Sequence, residues 1–272
     1  MNIELKYFSG TGNSWKVLDT CKEVFAENNH TVTISSIKTG EKLSSEAEMT
    51  GFCFPVYAFG IPRICRSYLN QLEVFSKPRN VFVIITAGKK EESGFSVGEC
   101  VKILRKKNCQ VICTAVVEMP INWVTYMNPP SKDEARIIIR EGIKEAQHIA
   151  GDILKGIHRY HKFNIPPDYG RWGLYYEYLL FKYLGVKNSW RIFKVYDSCT
   201  GCRLCSQLCP TGSIHMENGK PVWSSSCEQC MRCANYCPRE AIYQTMGGSS
   251  KGRNRYHHPD FKPAGMAHSD FN

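Results

Sequence analysis

The sequence contains no run of about 18 apolar residues, the length a helix needs to cross a bilayer, so no membrane span is expected. Its first residues, MNIELKYFSG, are charged at Glu4 and Lys6 and lack the apolar stretch of a secretory leader. A secreted, disulfide-stapled fold is therefore not expected, and a cytoplasmic setting is. Acidic residues are the scarcer charge, 25 against 35 Lys and Arg, for a formal net charge of +10. With 43% apolar and 22% charged residues, neither whole-chain disorder nor a fibrous repeat fits the 272 residues. A chain of this length buries a core without staples. Cysteine is nonetheless abundant, with 14 in all and eight of them between Cys199 and Cys237. Clustered cysteines in a reducing compartment point to metal before disulfides.

The charge is unevenly spread. Residues 1–156 carry a net +3, 157–196 carry +5, 197–245 are neutral and 246–272 carry +2. Such a surplus suits nucleic acid or acidic partners, and it also offsets negatively charged cofactors.

Residues 1–156 read as alternating strands and helices. Ile3–Phe8, Thr31–Ile37, Gly51–Val56, Val81–Thr86 and Val111–Val117 are strand-like. Between them, Trp15, Leu18, Cys21, Val24 and Phe25, and then Val97, Cys100, Val101 and Leu104, recur at helical spacing, and Lys132–Leu154 is a longer amphipathic stretch. Strands this apolar are buried on both faces, which predicts a five-stranded, doubly wound parallel sheet, an α/β domain. In residues 157–196, twelve of forty residues are aromatic, including Trp172, Tyr175, Tyr176, Tyr178, Phe181, Tyr183 and Trp190. This reads as a connecting segment that packs on its neighbours, with shielding of a cofactor or docking of a partner as the sharper alternative. Residues 197–245 hold a repeat in a small α+β domain, and 246–272 form a polar C-terminal tail.

In the repeat, Cys199, Cys202, Cys205 and Cys209 precede Pro210, and Cys227, Cys230, Cys233 and Cys237 precede Pro238. Both runs read C-x2-C-x2-C-x3-C-P, offset by 28 residues, with Ile214 and Ile242 four residues after each proline. This is the bacterial two-cluster ferredoxin spacing, in which the fourth cysteine of each run serves the other cluster. One 4Fe–4S cluster is then expected on Cys199, Cys202, Cys205 and Cys237, the other on Cys227, Cys230, Cys233 and Cys209. Paired zinc sites are the alternative, but zinc knuckles are usually two C-x2-C pairs set well apart. The other six cysteines, Cys21, Cys53, Cys65, Cys100, Cys109 and Cys113, sit in apolar patterns and read as core.

Ser9-Gly10-Thr11-Gly12-Asn13-Ser14 joins the first strand to the first helix. Backbone N–H groups and hydroxyls in such a turn cradle an anion. The turn lacks the lysine of a Walker loop and is not a full G-x-G-x-x-G, so a mononucleotide phosphate suits it best, that of FMN. Two further loops lie at strand ends, where ligands of open α/β sheets bind. Pro55-Val56-Tyr57-Ala58-Phe59 offers aromatics to flank a flat ring and small residues to let backbone reach its edge, with a turn of packing aromatics as the alternative, and Thr86-Ala87-Gly88 stands where the other ring-binding loop of a flavodoxin lies. Asn122, in Met119-Pro120-Ile121-Asn122-Trp123, is a candidate flavin or substrate contact, although loop closure explains it as well. Tyr256-His257-His258-Pro259 could bind a metal, but adjacent histidines point different ways, so ordering against a domain surface or simple disorder is the expectation.

The stretches YFSGTGNSWK, FPVYAFGIP, ITAGKKEESGF, EMPINW, the cysteine octet and RYHHP together resemble the flavodoxin–ferredoxin fusion proteins of anaerobes, the EFR-type ferredoxin family. The resemblance implies a flavodoxin-like domain followed by a two-cluster ferredoxin domain, FMN, two 4Fe–4S clusters and electron transfer with redox partner proteins. Those cofactors would bring the net charge to about +4, which weakens a nucleic-acid reading. A flavin-dependent oxidoreductase acting on a small molecule, for instance a porphyrinogen, with residues 119–130 as a lid, is the alternative, by analogy of fold alone. Monomer and dimer both stay open.

Overall fold

The computed structural model describes residues 1–161, 171–185 and 188–263. Residues 162–170 and 186–187 of the aromatic segment, and 264–272 of the tail, lie outside the described residues. The chain divides into two compact units. One holds Met1–Ser9, Asn13–Met119 and Arg136–Lys182; the other holds Gly10–Gly12, Pro120–Ala135 and the chain from Tyr183 on.

In the first unit, β1 (Asn2–Tyr7), β2 (Thr31–Ser36), β3 (Met49–Pro55), β4 (Arg79–Ala87) and β5 (Cys109–Glu118) form one sheet in the order β2-β1-β3-β4-β5. Every pairing is parallel. This is the flavodoxin-like doubly wound order, whose switch point lies between β1 and β3. The central strands are apolar because both faces are covered. Alternate residues of β3 serve opposite sides, with Met49 and Cys53 facing one layer and Phe52 and Phe54 the other. At the edge, β2 (TVTISS) is polar, and Thr31, Thr33 and Ser36 are exposed.

Helices α1 (Asn13–Glu27) and α4 (Lys132–Leu154) cover one face, through Val17, Leu18, Cys21 and Phe25 and through Ala146, Ile149, Ala150 and Ile153. Helices α2 (Arg63–Gln71) and α3 (Ser96–Arg105) pack together against the sheet. A Cβ at Gly51 would lie 2.1 Å from Phe82 Cζ, so glycine there makes room for the ring. Phe82 in turn meets Phe25 edge to face at 6.0 Å. After α4 the chain returns beside β5, where Thr114 N–H donates to Arg159 O (2.7 Å) and His161 N–H to Thr114 O (3.0 Å). Helix α5 (Arg171–Leu180) buries Tyr178 against Phe95, at a ring separation of 4.9 Å, and leaves Trp172, Tyr176 and Leu180 exposed.

The second unit is built from short pieces. β6 (Phe193–Val195) pairs antiparallel with β9 (Ile242–Gln244), and β7 (Ile214–Glu217) with β8 (Lys220–Trp223). The β7–β8 turn is Asn218-Gly219, with φ of 48° and 75°, the left-handed pair that a two-residue hairpin turn requires. One-turn helices α6 (Leu204–Gln207) and α7 (Arg232–Asn235) begin within the two cysteine runs. Phe193, Ile214, Trp223, Met231, Ala234 and Ile242 form the small core, joined by Val124.

Candidate cofactor sites

The cysteines of the second unit sort into two hollows. Cys199, Cys202, Cys205 and Cys237 line one of about 360 Å³. Cys209, Cys227, Cys230 and Cys233 line another of about 290 Å³. Three consecutive thiols from one run and the last thiol of the other meet in each hollow. Local folding explains the exchange. In each run a left-handed residue, Arg203 or Met231, turns the loop into a one-turn helix that carries the fourth cysteine away from the first three. Among the described residues, no three His, Cys, Asp or Glu side chains converge as a single ion would require.

The thiols are held in two ways. Burial pushes Cys205 and Cys227 up to about 12 and Cys230 to about 11, and raises Cys233 well above its ordinary value. These groups carry protons at neutral pH, so iron displaces protons when it binds them. Cys209 moves the other way. Burial raises it, but hydrogen bonds from Ser213 and Thr211 outweigh the burial and hold it below the ordinary thiol value. Ser213 N–H donates to Cys209 Sγ at 3.3 Å, as Ala241 N–H does to Cys237 Sγ at the same distance. The indole Nε1 of Trp223, which lines the second hollow, is buried without a hydrogen-bond partner. A buried donor of that kind calls for an acceptor, and a cluster sulfur would be one.

In the first unit the other sequence-assigned loops gather at the carboxyl ends of β3 and β4. Val56 N–H donates to Thr86 O (3.0 Å), and the Ser14 hydroxyl lies 2.7 Å from Thr86 Oγ1. The loop after β3 closes on itself, with Tyr57 N–H to Gly60 O at 2.8 Å and Gly60 N–H to Tyr57 O at 3.1 Å. At its tip Ala58 and Phe59 have φ of 44° and 63°, a conformation unfavourable without glycine that clusters at ligand sites. Val56, Tyr57, Ala58 and Phe59 stay half-exposed, so their side chains have room to flank a ring. Ala87 accepts from Met119 N–H (2.9 Å), and Gly88 follows it at the turn.

Sequence reasoning missed what holds that loop. Glu99 of α3 accepts from Ile61 N–H (3.3 Å), pairs with Arg66, and receives Lys182 Nζ at 2.9 Å. Burial alone would raise the Glu99 carboxyl, but Arg66 and Lys182 hold it below the ordinary carboxylate value. Phe95 N–H donates to Phe59 O at 2.7 Å. No spacing in the sequence signals this clamp.

The crest of the β1–α1 turn, Gly10–Gly12, belongs to the second unit. Thr11 is 1% exposed, and its hydroxyl accepts from Asn122 Nδ2 at 3.0 Å. Gly10 O accepts from Arg232 Nε at 2.7 Å, and Thr11 O from His258 N–H at 2.7 Å. Gly12 has a φ of 106°, and a Cβ there would lie 2.5 Å from Phe261 Cβ, so only glycine fits. Ser9, at the end of the first unit's segment, is also buried, and Asn13 opens α1 beside Ser14. The tail is therefore an ordered strap as far as it is described, with Tyr256, His258 and Phe261 buried. The other six cysteines are buried too, and burial raises the thiols of Cys21, Cys53, Cys100, Cys109 and Cys113.

Residues 191–238 match the 4Fe–4S dicluster domain family, so the C-terminal part carries such a domain. No curated protein matches the chain in sequence. Among solved structures the chain is similar to a short-chain flavodoxin associated with a non-canonical PDU bacterial microcompartment, at 15% identity and a TM-score of 0.42, over 58% of this chain and 99% of that one. It is similar to flavodoxin 2 from Bacillus cereus at 15% identity and a TM-score of 0.39, over 56% and 99%. It is similar to an NAD(P)H:quinone oxidoreductase from Methanothermobacter marburgensis at 13% identity and a TM-score of 0.36, over 56% and 98%. Among the described residues, no helix is long and apolar enough to cross a membrane.

Proposed function

We propose that the chain is an iron–sulfur flavoprotein that passes electrons between FMN and two 4Fe–4S clusters, joining two-electron to one-electron partners. The observation that carries this reading is the sorting of the eight cysteines into two hollows, each with three thiols from one run and one from the other. Cys199, Cys202, Cys205 and Cys237 would hold one cluster, and Cys227, Cys230, Cys233 and Cys209 the other. For FMN, the buried hydroxyls of Ser9 and Thr11 and the half-exposed Tyr57 and Phe59 suit a phosphate and a flat ring.

When bound, the flavin supplies one- or two-electron chemistry and each cluster one-electron chemistry. The chain's own residues position and tune. Glu99, Arg66 and Phe95 tie down the aromatic loop that carries Tyr57 and Phe59. Ser213 and Thr211 stabilise negative charge on Cys209. The segment read as a lid in the substrate-oxidising alternative is tied down. Thr125 Oγ1 donates to Gln244 Oε1 at 2.6 Å, and Arg253 to Thr125 O at 2.6 Å. That favours electron relay over a gated substrate site.

The test is cofactor content. Anaerobically purified protein is expected to hold about eight iron, eight sulfide and one FMN per chain. Near-stoichiometric zinc with little iron would sink the cluster assignment, and absence of bound flavin on reconstitution with FMN would sink the flavin assignment.

A further inference from the structure

Two indoles of the second unit, those of Trp123 and Trp223, bury an N–H that has no partner among the described residues. Trp123 lines neither cysteine hollow, whereas Trp223 lines the second. Trp223 is only 4% exposed and belongs to the small core. Two neighbours fix its setting. Phe193 stacks on it at 5.0 Å with 11° between the rings, and Ile214 stands opposite it in the β7–β8 pair. A buried indole N–H ordinarily finds an acceptor, because leaving it unpaired carries the full cost of its desolvation.

The acceptors that the chain itself offers in this hollow do not take it. The Glu228 carboxylate and the thiols of Cys209, Cys227, Cys230 and Cys233 line the same space, and none lies within hydrogen-bond distance of Trp223 Nε1. Other side-chain donors around the hollow are engaged. The Ser213 and Thr211 hydroxyls lie 3.4 Å and 3.6 Å from Cys209 Sγ, and Arg232 donates to Leu208 O and Gly10 O. The acceptor left for the indole is an inorganic sulfide of a cluster held by those four thiols.

The repeat supplies an internal comparison. The offset of 28 residues that relates the two cysteine runs also relates Trp223 to Val195. The strand register agrees, since Trp223 lies opposite Ile214 as Val195 lies opposite Ile242. Valine has no side-chain donor, and Val195 does not line the first hollow. The second copy therefore carries an indole N–H at a position where the first carries none.

We propose that the Trp223 indole N–H donates to an inorganic sulfide of the cluster in the second hollow and raises that cluster's reduction potential. This rests on the cluster reading above. Hydrogen bonds to the sulfurs of a cluster set its potential, and a donor favours the reduced form, which is more negative by one charge.

The experiment uses the full-length chain loaded with clusters under anaerobic conditions, its tryptophans isotope-labelled at the indole nitrogen. After one-electron reduction with dithionite, pulsed EPR reads the coupling between that nitrogen and the cluster spin. A coupling is expected in the wild type and is expected to vanish in Trp223→Phe. Trp123→Phe and Trp190→Phe, which change the other two tryptophans of the second unit, are expected to keep it. That assigns the coupling even where Trp223→Phe loads poorly. In the Cys237→Ala background, where the second cluster stands alone, Trp223→Phe is expected to shift the redox equilibrium about fivefold toward the oxidised form, the scale of one hydrogen bond, or about 40 mV at 59 mV per tenfold. A cluster-loaded wild type without the coupling, its persistence in Trp223→Phe, its loss in Trp123→Phe or Trp190→Phe, or a potential that stays or rises in Trp223→Phe would overturn the proposal and leave the clusters in place. Iron and sulfide analysis separates these results from failure of the reading beneath them: a reconstituted wild-type chain that holds neither would overturn both.

Discussion

The two cysteine hollows come from one repeated spacing, yet their settings differ. In the first, Cys202 is exposed and Cys199, Cys205 and Cys237 are half-buried, beside Gly201, Arg203 and Arg239. In the second, Cys227, Cys230 and Cys233 are buried and only Cys209 is half-buried, with Phe193, Trp223 and Met231 as walls. The repeat supplies identical ligands, and what packs on each copy sets the difference. The second run sits on the small core and also sends Arg232 to the Gly10–Gly12 turn. One repeated spacing thus yields a more open hollow and a more closed one, according to what packs on each.

The largest effect expected concerns which hollow empties. Cys209→Ala should remove the cluster of the second hollow and leave about four iron per chain, and Cys237→Ala should remove the cluster of the first. Iron and sulfide analysis, with the spectrum of the surviving cluster, checks this. If both variants left the same surviving cluster, or if Cys209→Ala emptied the first hollow, the assignment of thiols to hollows would fail.

A smaller effect concerns access. A chelator under air should strip iron in two phases, the exposed first hollow before the buried second. Cys209→Ala protein should show only the fast phase and Cys237→Ala only the slow one. A single phase in wild type, or the reverse order in the variants, would break the contrast between open and closed.

How much of this was legible in sequence depends on the range of the interaction. The central strands announced themselves because both faces are buried, as in the apolar run Val81–Ile85, whereas the edge strand β2 showed itself only by its β-branched alternation. The crossover of Cys209 and Cys237 followed from spacing. Helix α2 was harder. Cys65, Tyr68, Leu69 and Leu72 recur at helical spacing, but nine residues starting after Pro62 do not separate from a loop. The Glu99–Arg66–Lys182 clamp and the Arg232–Gly10 bond were illegible, because residues 83 and 222 positions apart share no period. The strap looked like a polar end for the same reason: its buried residues, Tyr256, His258 and Phe261, follow neither a helical nor a strand repeat.

The smallest effect turns on one hydroxyl that distinguishes the two copies. Four residues after the last cysteine of each run stands Ser213 in one case and Ala241 in the other. Both give a backbone N–H to sulfur, at 3.3 Å. Only Ser213 adds a hydroxyl, 3.4 Å from Cys209 Sγ, and Thr211 adds a second at 3.6 Å. Donors to a ligating thiolate favour the more negative, reduced site and raise its potential. A long hydroxyl contact of this kind contributes ~0.5–1 kcal/mol. At 59 mV per tenfold for one electron, that is about 20–40 mV. Ser213→Ala should therefore lower the potential of the second hollow's cluster by about that amount, read in the Cys237→Ala background where it stands alone. The same change in the Cys209→Ala background, where its acceptor is gone, should leave the first hollow's cluster where it was. Ala241→Ser supplies the missing hydroxyl and should raise the first cluster's potential by a similar step, narrowing the difference between the copies. Equal shifts in both backgrounds, or a rise on Ser213→Ala, would show that the asymmetry is not set by hydrogen bonds to the crossing cysteines and would leave burial and the Trp223 N–H as its sources.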